Sequence, residues 1–367
     1  MSASLTGSVG RCPLQGIFLG IRSLLRKLLR LNPPPARVSV DNRPAPEPRP
    51  TPAPVIGTSP DYVGMDRHAL ANSFSELLLE SQRGSEAFVL NDSERYILDR
   101  VDELLNGDIP DAIIPKLPDV ATSLFRELSD PDVSQDRILS YLNRDPALVS
   151  EVLRLANSPL FRVSPDPLEN LDRAVVLLGL QNLKSLVSSV LMKPILEIRP
   201  IYFRMFGQHL WQHSLDCAQA CQVIDRHHHR GDPFNSYLVG LMHDVGKLAI
   251  FRLLIDSFRE VAPNIQPRGE FFSQIVRDKS ARLTLHIVEQ WSFPPYLRQA
   301  LAEQQEAWPA EDRSIYGFFL QQANMLAEFR HIVECQAKTG DDFDELAVRY
   351  RIPIDLYRQV FPTAPPN

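Results

Sequence analysis

Residues 240–248 read Gly240-Leu-Met-His-Asp-Val-Gly-Lys-Leu248, inside an apolar run from Tyr237 to Leu254. His243 and Asp244 stand side by side in it. An imidazole nitrogen and a carboxylate oxygen are ligand types for a divalent transition metal. They are equally a pair that a core holds by hydrogen bonds. The run predicts one helix over 233–254 carrying both residues. Neighbours on a helix point about 100° apart, so both reach one ion only at a helix edge facing a cavity. Spacing alone therefore favours the hydrogen-bonded core pair over the metal pair.

The preceding segment, 200–229, predicts a long helix that holds His209, Trp211, His213, Cys217 and Cys221 and ends at Gly231-Asp232-Pro233. His213, His243 and Asp244 would form half a metal site, since helical bundles place ligands on facing helices. A working site needs further ligands and an open position for water. His286, on a helix near 271–291, is the first candidate for that role; Asp216 and Glu289 are weaker ones. His209, one turn before His213, reads as facing elsewhere. Cys217 and Cys221 continue the His213 face at a spacing that can hold zinc, but a buried cysteine is usually a small apolar residue. His227-His228-His229 reads as an exposed helix end, where cations suit the helix dipole. The chain has no GxxxxGK[ST] phosphate loop, no GxGxxG fingerprint and no GxSxG elbow.

The rest of the chain is helical in pattern, with no stretch alternating at period two, so the fold class is all-α. Helices are expected at 66–81 and from Asn91, where Glu94 three residues on makes a capping box. Others follow Leu117-Pro118, cover 134–142, and start at Asp145-Pro146, an N-cap and first-turn proline. Two more are expected at 171–178 and 180–191, separated by Gly179 and stopped before Pro194. Further helices are read at 296–306, 315–338 and 342–360.

The N-terminal part differs. Residues 16–31 place Ile17, Phe18, Ile21, Leu24, Leu25, Leu28, Leu29 and Leu31 on one arc, with Arg22, Arg26, Lys27 and Arg30 opposite. A basic amphipathic helix suits a membrane surface or a partner groove. It makes a poor secretory signal, because its charges lie within and after the apolar part. Residues 32–60 hold ten of the 31 prolines, a composition for a disordered linker. The expected organisation is 1–31 amphipathic, 32–60 linker, 61–112 helical, 113–308 main domain and 309–367 helical extension. A net charge of −6 gives no general basis for nucleic-acid binding. Four cysteines without a CxxC pair predict a reducing cytosol rather than a disulfide framework. No uninterrupted apolar stretch reaches the roughly 20 residues of a spanning helix.

Six pieces occur in order: Leu117-Pro118, Asp145-Pro-Ala-Leu148, Leu155-Ala-Asn-Ser-Pro159, Ala174-Val-Val-Leu-Leu-Gly-Leu180, Leu210-Trp-Gln-His-Ser214 and Gly240-Leu-Met-His-Asp-Val-Gly-Lys247. Together they resemble an HDOD domain, the output-type relative of HD phosphohydrolases. The resemblance covers a little over half of the chain. It implies an all-α fold and a role in bacterial signal transduction. Catalytic HD domains carry an H…HD…D ligand pattern, which His213, His243 and Asp244 match; the final Asp position falls at Asn324. HD-GYP relatives also have a His-His pair after a WxxP turn, where this chain reads Ala302-Glu-Gln-Gln305. The resemblance thus implies a vestigial set, His213, His243, Asp244, His286 and Asn324, with no catalytic residue and no cofactor beyond a residual divalent metal. Its expected partners are proteins of a signalling pathway; peripheral membrane contact is expected separately, from the amphipathic pattern of 16–31. The alternatives are a metal-dependent phosphohydrolase acting on a cyclic dinucleotide, or a nucleotide sensor without turnover.

Overall fold

The structure is a computed structural model that describes residues 67–79, 89–107, 109–117, 119–196, 203, 205–263, 265, 267–304, 312–336 and 343–362. The amphipathic segment 16–31 and the proline-rich 32–60 lie outside these residues. All secondary structure among the described residues is helical.

The helices in chain order are α1 (Arg67–Leu78), α2 (Asp92–Asn106), α3 (Asp119–Leu128), α4 (Gln135–Leu142), α5 (Pro146–Ala156), α6 (Leu171–Leu196), α7 (Phe206–His228), α8 (Pro233–Met242), α9 (Val245–Val261), α10 (Gly269–Gln290), α11 (Pro295–Ala302), α12 (Ile315–Gln336), α13 (Phe343–Tyr350) and α14 (Ile354–Val360). Local chemistry sets many of their starts. Asn91 accepts from the Glu94 amide while Glu94 accepts from the Asn91 amide, the expected capping box. Asp145 and Asp232 cap α5 and α8 ahead of Pro146 and Pro233.

α7 lies at the centre, packed against α8 on one side and α12 on the other. α9 packs on α10, and α1 packs on α12. The core is aromatic where α7, α9 and α10 meet: the Phe206 and Phe251 rings stack at 3.8 Å, with Phe272 edge-on to Phe251. Residues before the main domain belong to the same packed body. Arg268, the N-cap residue of α10, forms an ion pair with the buried Glu94 of α2, and Ser73 of α1 hydrogen-bonds Tyr350 of α13 at 3.0 Å.

Three expectations change. Gly179 breaks the helical path as expected, with φ +73°, but the following helix passes Pro194 and ends at Leu196. Proline costs one backbone bond there, while Ile195 and Leu196 are buried and Arg252 donates to the Ile195 carbonyl at 3.2 Å. The helix expected over 342–360 is two, parted at Arg351, whose φ is +55°, and at Pro353. The single helix expected over 233–254 is also two, and the break falls on His243 and Asp244. One described helix, α6, is long and apolar enough by composition to cross a membrane; 67% of that stretch is buried inside the fold.

Candidate metal centre

α8 ends at Met242. His243 keeps helical angles (φ −59°, ψ −29°), whereas Asp244 leaves them (φ −109°, ψ +10°), and α9 starts at Val245. This break removes the geometric objection to the pair, because the two side chains no longer diverge as helix neighbours. Two glycines make it fit. A Cβ on Gly240 would lie 2.6 Å from the Ala218 Cα on α7, and one on Gly246 would lie 2.2 Å from the Ser280 carbonyl on α10. Only glycine permits backbones that close. The Gly246 amide then donates to Thr284 Oγ1 at 3.0 Å.

Four side-chain atoms converge beneath this turn. His213 Nε2 and His243 Nε2 are 3.2 Å apart, and Asn324 Oδ1 of α12 lies 3.0 Å from each. Asp244 Oδ2 lies 3.5 Å from His213 Nε2 and 3.3 Å from His243 Nε2. His213, His243 and Asp244 are the one group of His, Cys, Asp and Glu among the described residues with ligand atoms all within 4.8 Å of one another. His243 Nδ1–H donates to the Gly240 carbonyl at 2.7 Å, which leaves Nε2 aimed at the cluster. Donor atoms about 2.1 Å from a first-row cation sit about 3.0–3.5 Å from each other across a coordination edge. The residues present therefore fit a single divalent ion, with Asn324 as a neutral oxygen ligand.

The electrostatics are less generous than the geometry. Lys247, in the first turn of α9, places its ammonium 2.8 Å from Asp244 Oδ2 and cancels the only anionic ligand. Burial works against the Asp244 carboxylate, yet His243 and Lys247 hold it well below the usual range. Burial likewise opposes a charged His243, but the Asp244 carboxylate raises it well above an ordinary imidazole. His213, fully buried, is pushed down by desolvation and is neutral. Without a cation the cluster is thus a His243–Asp244–Lys247 charge network beside a neutral His213.

The cluster is also covered. The Phe74 ring, from α1, lies 4.3 Å from the His213 ring, and the Lys247 ammonium sits 5.7 Å above the same Phe74 ring. His213 is 0% exposed and Asp244 5%.

His286 does not join the group. α10 meets the His243 turn through Thr284, and a residue two positions on is rotated about 200° around the helix; His286 Nε2 is buried without a hydrogen-bond partner. Glu289 is at the surface near Arg298. Asp216 is buried, with Arg330 at 3.5 Å and His331 at 3.6 Å, and burial pushes it up to about 7 despite Arg330. Cys217 is buried and its thiol pushed up by desolvation. Sequence reading passed over Phe74, Lys247 as a partner of Asp244, and Glu328, which accepts from Asn324 Nδ2 at 3.1 Å. The Asn324–Glu328 spacing of four on one helix was the legible signal for the last.

The family model described as the HDOD domain matches residues 114–307. A protein of Treponema pallidum described as uncharacterized is 27% identical over 157 residues, 41% of this chain and 27% of its own length. "Cyclic di-GMP phosphodiesterase CdgJ" of Vibrio cholerae is 29% identical over 123 residues, 33% of this chain and 27% of its own. The chain thus spans about a quarter of the length of these curated relatives. A crystal structure from Shewanella amazonensis SB2B, named "Putative metal-dependent phosphohydrolase", superposes with a TM-score of 0.52 at 22% identity, covering 74% of this chain and 98% of that one, and shows the shared fold. With more than half of its length matched, the chain belongs to the HDOD domain family.

Proposed function

We propose that this protein is a bacterial signalling component whose HDOD domain is a non-catalytic, protein-binding module. One observation carries the reading: the His213–His243–Asp244 cluster is covered by Phe74 and Lys247. Hydrolysis by a metal site needs an open coordination position for water and substrate. Here Phe74 packs on His213, and Lys247 holds the oxygen of Asp244 that faces both histidines. A two-metal clamp on a phosphodiester holds two ions about 3.5–4 Å apart, which takes a second ligand group beside the first. Among the described residues only one such group forms, and its fourth donor is an amide. The cluster serves instead to lock α7, α8 and α12 together. The module acts in the cytoplasm on protein partners, without nucleic acid, and residues 16–31 supply peripheral contact with a membrane surface.

The test is turnover. The purified full chain is given Mn2+ or Fe2+ and cyclic di-GMP, with His243→Ala as control. The expected result is no hydrolysis above the control. Hydrolysis that disappears in His243→Ala overturns the reading and installs a metal-dependent phosphodiesterase in its place.

A further inference from the structure

Asn324 decides what the cluster presents to a cation, because an amide has one ligating end and one repelling end. Its Oδ1 faces His213 and His243 at 3.0 Å, and its Nδ2 donates to Glu328 Oε1 at 3.1 Å, one turn further along α12. Glu328 is 3% exposed, and its second oxygen is buried without a hydrogen-bond partner. A buried carboxylate with no other hydrogen bond is an expensive residue for packing alone. Its placement has a chemical logic. If the amide turned over, Oδ1 would face the Glu328 oxygen and Nδ2 would face the two imidazoles. As the acceptor of the bond from Asn324 Nδ2, Glu328 disfavours that orientation.

We propose that Glu328 is the positioning residue of a one-cation site formed by His213, His243, Asp244 and Asn324. It holds the amide oxygen toward a divalent first-row ion through the hydrogen bond it accepts from Asn324 Nδ2. Hydrogen-bonded carboxylates behind histidine ligands play this part in metal proteins, fixing orientation and raising ligand basicity. Here the intermediary is an amide. The inference needs no turnover and stands apart from the signalling reading.

The experiment uses the full chain, stripped with chelator and titrated with Co2+, whose visible absorption reports histidine ligation. His243→Ala is subtracted to remove binding by the His227-His228-His229 run. The expected result is one Co2+ per wild-type chain in excess of that control. Glu328→Ala should bind about 10- to 100-fold more weakly, the range for loss of an outer-shell partner. Glu328→Gln, whose amide oxygen still accepts from Asn324 Nδ2, should stay within several-fold of wild type. Glu328→Leu keeps the buried volume without the acceptor and replaces the alanine variant if that one does not fold. No Co2+ above the His243→Ala control overturns the proposal. So does wild-type affinity in the variants lacking an acceptor, or a Glu328→Gln loss as deep as theirs.

Discussion

The Phe74 ring rests on the His213 imidazole, centroids 4.3 Å apart, although the two residues are brought together from α1 and the middle of α7. Phe74 is 1% exposed and also meets His331 at 5.5 Å. Phe74→Ala should therefore cost about 3–5 kcal/mol, the range for emptying a buried aromatic site. Chemical denaturation of the full chain checks this. A loss below about 1 kcal/mol would mean that α1 does not pack as described.

Gly246→Ala should destabilise the protein by about 1–3 kcal/mol or more, since the added methyl meets backbone on α10 rather than a movable side chain. Thermal unfolding is the measurement. The same change should disturb the His243 turn, because the Gly246 amide is what Thr284 holds.

Asp216 makes the stability pH-dependent. Burial raises its folded-state value from an ordinary carboxylate to about 7, so between about pH 4 and pH 7 the folded state holds a proton that the unfolded state releases. Stability from this group is full at low pH and is lost as pH rises through 7. Asp216→Asn removes that slope. Relative to wild type the variant should gain between pH 5 and pH 8, by up to a few kcal/mol, whatever its offset at pH 5. Parallel pH profiles of the two proteins would contradict the assignment.

Asp244 acts in the opposite sense. His243 and Lys247 hold its carboxylate low in the folded state against the cost of burial. Its contribution is present above the unfolded value of about 4 and fades as pH falls below it. His243, raised by Asp244, contributes fully below about pH 6.5 and loses that contribution as pH rises through its folded-state value. Asp244→Asn should drop the His243 ring titration, followed by NMR in metal-free protein, to the ordinary imidazole range or below. An unmoved midpoint would show that Asp244 is not its partner.

Much of the fold was legible because its signals are local. Asn91 and Asp145 announce helix starts through side chains that reach only two or three residues. The break at His243–Asp244 was not legible, since every residue from Tyr237 to Leu254 is compatible with a helix. What interrupts it is the approach of α7 and α10 to Gly240 and Gly246, a tertiary cause. Within the site, His213, His243, Asp244 and Asn324 could be named from motif order, and the structure brings them together. His286 could be named but not excluded, because its exclusion depends on Thr284 taking the facing position on α10. Phe74 had no motif to mark it; a phenylalanine on an amphipathic helix predicts burial, not the surface it will cover.

The cluster is stitched from chain on both sides of the recognisable family segment. Phe74 precedes residue 114, and Asn324 and Glu328 follow residue 307. The cluster is therefore incomplete within residues 114–307 alone. Excised at 114–307, the segment would bare the flanks of α7 and α8 that α12 covers, with His213 among them, and sticky, ill-folded material is the expected yield.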